Sequence, residues 1–151
     1  MNAKDAIRTS IAGADMVVDM YLEDLTDAEL LVRPVPGTNH IAWQLGHLIQ
    51  SENDMIEMVS PGVMPKLPEG FKAKYGKETA EIDDPKAFHT KAEYLKLLKE
   101  QRAGSLVALD KVNDTDLDKP SPEALRAYFP TVASIFTLQG SHRLMHAGPA
   151  A

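Results

Sequence analysis

Four stretches of this 151-residue chain repeat apolar side chains at three- and four-residue steps, and no window sustains the alternation that a strand requires. In the first, Ile7, Ile11, Ala14, Val18, Tyr21, Leu22 and Leu25 mark one buried face and predict a helix over 3–25. Leu45, Leu48, Ile49, Met55, Ile56 and Val59 do the same over 40–59, with Asn39 as the N-cap. Phe88, Tyr94, Leu95, Leu98, Leu106 and Leu109 predict a third helix that reaches 111, opened by Asp84 as N-cap and Pro85 at the first helical position. Ile135, Leu138, His142 and His146 share one face of a last helix over 131–147, which Gly148 and Pro149 stop. Thr26-Asp27-Ala28-Glu29 has the form of a capping box and predicts a short helix to 32, ended by Pro34 and Pro36. Between the second and third helices, Pro61, Gly62, Pro65, Pro68, Gly70 and Gly76 predict a long irregular connection over 60–83. Such connections inside compact domains are often functional. The expected fold is an all-α, up-down-type four-helix bundle, a single domain over 1–148 with a short tail at 149–151.

Composition removes several classes of function. Asp and Glu outnumber Lys and Arg by 22 to 16, and no basic cluster stands out, so nothing in the chain offers an electrostatic footprint for nucleic acid. No apolar run approaches the roughly 18 residues of a membrane span. The opening Met1-Asn2-Ala3-Lys4-Asp5 lacks the apolar core of a signal peptide, so the expected setting is soluble and cytoplasmic. There is no cysteine. Any metal is then held by nitrogen and oxygen ligands, and any thiol chemistry takes its sulfur from a co-substrate.

The candidate ligands are histidines. His142 and His146 stand four apart in the last helix, where i and i+4 side chains lie on one face with Cβ atoms roughly 5–6 Å apart. That spacing lets two imidazoles close on one ion, and a third from another helix, His47, completes a three-histidine site with open positions. The same spacing also suits one solvated and one packed histidine. His47 by itself reads first as a packed groove residue, on a stripe with Trp43, Gln44, Ser51 and Asp54. Trp43 is expected in the core or a pocket wall. Glu52 and Asp54 are candidate acceptors for the N–H groups of liganding imidazoles. His40, in the first turn of the second helix, and His89 are expected on the surface.

Trp43-Gln44-Leu45-Gly46-His47-Leu48 resembles the W-x-x-G-H segment that opens the second helix of the DinB-like family of damage-inducible, four-helix proteins. Arg33-Pro34-Val35-Pro36-Gly37-Thr38-Asn39 is similar to that family's lead-in, and Ser141-His142-Arg143-Leu144-Met145-His146-Ala147-Gly148 to its H-x-x-x-H-x-G segment. After Gly148 the chain departs from the pattern, with Pro149-Ala150-Ala151 where the family places a glutamine and a further stretch. The resemblance implies a four-helix bundle, often dimeric, with a divalent metal held by His47, His142 and His146. It also implies a metal-dependent transferase acting with a low-molecular-weight thiol on a small-molecule substrate. A metal-dependent hydrolase with the same ligands, and a non-catalytic, stress-related bundle holding metal or a small ligand, are the alternatives. A bundle without metal is the plainest. Zn²⁺ or Ni²⁺ is the first expectation for the ion, with Fe²⁺, Cu²⁺ and Mn²⁺ also suited.

Overall fold

In the computed structural model, which describes residues 1–148, each long helix begins on a side chain that satisfies its free N–H groups. Helix α1 (Ala3–Leu22) opens on a reciprocal Asn2–Asp5 box, α3 (Lys91–Lys111) on Thr90–Glu93, and α5 (Val132–Ala147) on Thr131–Ser134. Helix α2 (Ile41–Val59) is capped by the His40 imidazole rather than by Asn39. A single turn, α4 (Asp114–Leu117), interrupts the connection between α3 and α5. The all-helical fold expected from the periodicity is the one observed, with no strand among the described residues. The expected tail at 149–151 lies outside them.

Two expected starts differ in detail. Asp84 does cap the following turn, its side chain accepting from Lys86 N, but the turn is a lone 3₁₀ segment, Pro85–Ala87. Phe88 then goes extended and packs edge-on against His40 at 4.6 Å, so α3 starts at the Thr90 box instead. The Thr26–Glu29 box also forms, with Thr26 N donating to Glu29 Oε2 at 2.7 Å, yet it supports only the 3₁₀ turn Glu29–Leu31.

Contacts at the helix ends fix the directions. Lys4 Nζ reaches Asp110 O, and Lys91 Nζ donates to Glu23 O and Leu25 O, so α1 and α3 are antiparallel. One core cluster joins Leu22, Ile41, Tyr94 and Ala147, and the other joins Ile7, Ile56, Leu109 and Ile135. Helices α1 and α5 therefore run one way, and α2 and α3 the other. Up-down alternation is broken once, between α2 and α3, because residues 60–90 carry the chain back along the bundle before α3 begins.

That return segment is seated by aromatic residues. Phe71 and Tyr75 are buried, and a Cβ at Gly46 would lie 2.1 Å from two Tyr75 ring carbons. The ring lies directly on the α2 backbone, so this position requires glycine. Gly46→Ala is expected to cost about 1–3 kcal/mol by overpacking, in spite of alanine's better helix propensity, and to lower the melting temperature by several degrees. A variant that melts with the parent in a thermal scan would contradict that packing. The Tyr75 hydroxyl bonds Tyr94 Oη at 2.7 Å and contacts His89 Nδ1. His89 is thus half-buried against Phe71, Tyr75 and Tyr94, and not the surface residue its position suggested.

At mid-height one charged residue from each long helix meets in the interior. Arg102 of α3 donates to Asp15 of α1 and lies 2.8 Å from Glu52 of α2, while Arg143 of α5 donates to Asp15 at 2.8 Å and Glu52 at 2.9 Å. Ser105 Oγ adds a 2.7 Å bond to Glu52. Glu52 is therefore committed to this network and is not an acceptor for the histidines. Asp54, the other candidate, pairs with Lys72 on the return segment.

Candidate metal centre

Antiparallel packing of α2 on α5 brings the three expected histidines together. Helix α5 is held close to α1 at Gly140, where a Cβ would sit 3.3 Å from Ser10 O. The i, i+4 pair of α5 then faces the first two turns of α2. His146 Nε2 and His142 Nε2 are 3.2 Å apart, and one ligand atom from each of His47, His142 and His146 lies within 4.8 Å of the others. The ring centroids are separated by 4.8, 5.1 and 5.3 Å. Two nitrogens bound tetrahedrally at 2.0–2.1 Å from one ion lie about 3.3 Å apart, so the α5 pair is already at ligand spacing.

Hydrogen bonds set which nitrogen faces the centre. Gln44 Nε2 donates to Asn39 O at 2.7 Å, which turns the amide oxygen toward His146. His146 Nδ1–H donates to that oxygen at 3.0 Å, leaving a lone pair on Nε2. Gln44 thus does for His146 what an outer carboxylate does at other histidine sites: it fixes the tautomer and the ring orientation. Gln44 stands one turn before His47 on the same stripe, so its place in the sequence already carries the signal of such a partner, in an amide rather than a carboxylate. The two facing Nε2 atoms are satisfied by a shared proton or by a shared cation.

His47 is held from its other face. The Trp43 indole stacks on it at 5.3 Å and 3° and is buried. The indole N–H donates to Thr79 Oγ1 at 3.1 Å and Gly76 O at 3.3 Å, which ties the return segment to the ring beside the site. Trp43 is a wall, as expected.

Burial disfavours the charged form of all three imidazoles. His142 is pushed down to about 4, first by burial and then by His146 and His47. All three are neutral at physiological pH, the state in which imidazole donates a lone pair to a metal. Among the described residues no carboxylate bonds to any of them.

His40 lies apart from this group. Expected to be exposed, it is fully buried, because its Nδ1 accepts from Trp43 N at 3.0 Å and its Nε2–H donates to Ile82 O at 2.9 Å. Its role is to cap α2 and fasten the end of the return segment. No described helix is long and apolar enough to cross a membrane.

No curated protein and no solved structure matches the chain. The family model described as the DinB superfamily matches residues 12–150, a span that contains the Trp43–His47 segment and both histidines of α5. With nearly its whole length matched, the chain belongs to the DinB superfamily.

Proposed function

We propose that His47, His142 and His146 hold a divalent cation, and that the protein uses it for group transfer involving a low-molecular-weight thiol. The observation that carries the metal reading is the convergence of three neutral imidazoles from two helices, one ligand atom from each within 4.8 Å of the others. An ordinary trio of packed histidines needs no such focus. The chain's own residues bind and orient: Gln44 sets the His146 tautomer, Trp43 sets the His47 plane, and burial keeps all three rings unprotonated. Three protein ligands leave coordination positions for a small molecule. A cation bound there supplies Lewis acidity to a thiol sulfur, and a chain without cysteine must take that sulfur from a co-substrate. Zn²⁺ and Ni²⁺ suit an all-imidazole set first.

A second reading keeps the same three ligands and asks no reaction of them. It makes the site a non-catalytic metal or small-ligand holder. Elemental analysis of the purified protein and its His47→Ala and His142→Ala variants tests the site itself. Near-stoichiometric metal in the parent, lost in both variants, is the expected result. A parent that takes up no Zn²⁺ or Ni²⁺ on reconstitution would sink it. Turnover with thiols and electrophiles that stops on chelation separates transferase from holder.

A further inference from the structure

Among the described residues three buried side-chain polar atoms have no hydrogen-bond partner. Two belong to Arg102 and Arg143, whose guanidiniums are otherwise held by Asp15 and Glu52. The third is Oε1 of Gln50, on α2. A carbonyl oxygen shut away from water with no donor is a standing cost to the fold, and such a group calls for a reason.

A matching want lies one turn away. Among the described residues, hydrogen bonds to imidazole nitrogens are made at His40, His89, His142 and His146, and none at His47. A neutral imidazole carries one lone pair and one N–H. When the lone pair goes to an ion the N–H still needs an acceptor, and His47 is bonded to none. His47 and Gln50 are i and i+3 on α2, neighbours on the helix surface. A helical side chain leans toward the N-terminus, so Gln50 lies over the turn that carries His47. Trp43, one turn before, stacks on the ring from the opposite direction. The glutamine amide turns about a broad terminal torsion and reorients cheaply.

We infer that Gln50 is a positioning residue for His47: its side-chain oxygen accepts the imidazole N–H that a bound cation leaves free. The role depends on the metal reading above and extends the part that Gln44 plays. Helix α2 then supplies one amide acceptor to His146 across the helix pair and another to His47 along its own face. Amides fix the rings without adding negative charge, so a cation here keeps more of its pull on an anionic ligand than one backed by carboxylates. The unpaired oxygen is a loss of stability kept for function.

The Zn²⁺ affinity of the full chain and of Gln50→Met, Gln50→Glu and His47→Ala, measured by competition with a chromophoric chelator, tests the role. Methionine keeps the length and removes the acceptor, whereas glutamate keeps the acceptor. Gln50→Met is expected to raise the dissociation constant about 10–100-fold, the usual effect of removing an outer partner. Its metal-free melting temperature should match or exceed the parent's, because a buried orphan is gone. Gln50→Glu should bind at least as tightly as the parent, since a carboxylate is the stronger acceptor. A His47 ring N–H protected from exchange in the Zn²⁺-loaded parent and lost in Gln50→Met is the spectroscopic mark, read by long-range ¹H–¹⁵N NMR. A Gln50→Met loss under about tenfold, or one that glutamate fails to restore, overturns the role, and loss of Zn²⁺ in His47→Ala then leaves the metal site standing. So does a metal-free Gln50→Met protein that melts well below the parent, which marks ordinary packing. A parent that binds no Zn²⁺ removes the site and the role of Gln50 together.

Discussion

Glu52→Gln is expected to cost about 3–5 kcal/mol of folding stability, although the substitution hardly changes the side chain's shape. The reason is charge accounting in a closed space. Asp15, Glu52, Arg102 and Arg143 come from four different helices and sum to zero charge. Glu52 exposes 3% of its side chain, Arg143 6% and Arg102 7%. Burial pulls the Arg102 guanidinium below its ordinary range, and Glu52 is the strongest influence holding it charged. With glutamine in place, two buried guanidiniums share the single carboxylate of Asp15. The exposed Lys96–Glu100 pair, 3.9 Å apart, is the useful contrast, since Glu100→Gln is expected to cost under about 0.5 kcal/mol. Urea unfolding should show the difference as a shifted midpoint at constant slope. A Glu52→Gln loss below about 1 kcal/mol would mean that water reaches the network and screens it. The site is affected too. Arg143 points inward beside His142, so the network fixes the rotation of α5 that turns His142 and His146 toward α2.

What the sequence disclosed and what it hid divide along the range of the physics involved. Amphipathic stripes and capping boxes are local, and they placed four helices within a few residues of their ends. Even the misplaced start of α3 had its correct signal, Thr90-x-x-Glu93, in plain view. The network was not legible, because Glu52 meets Arg102 and Arg143 from positions 50 and 91 residues away. Nothing near position 52 says whether that carboxylate faces solvent, histidine or arginine. His40 and His89 were misjudged for a related reason: both are buried by the return segment, whose course depends on Tyr75 lying on Gly46. The three metal-site candidates were legible because two of them share a helix, so that only the facing of α2 on α5 remained to be supplied by the fold.

Stoichiometric-plus Zn²⁺ is expected to raise the melting temperature of the parent by several degrees or more at neutral pH, and to leave His142→Ala unmoved. A ligand that binds only the folded state at about a thousand times its dissociation constant stabilises by roughly 4 kcal/mol, and each kcal/mol is worth about 2–4 °C in a chain of this size. Acidification separates this site from an exposed histidine cluster. A base whose pKa is lower folded than unfolded contributes stability that is complete above its unfolded value and is lost as pH falls toward the folded one. For His142 that window opens near 6.5 and runs down to about 4. The metal-free protein should therefore weaken progressively across it, with His47 and His146 adding in the same direction. With Zn²⁺ bound, protons compete for the ligands, and because burial lowers all three imidazoles the metal-dependent shift should fade at a lower pH than for histidines in water, with His142 the last to protonate, at about 4. Thermal scans with and without metal across that range read both effects. Collapse of the metal shift already at pH 6 would show imidazoles titrating as they do in water, and would remove burial as the device that keeps the site ready for an ion.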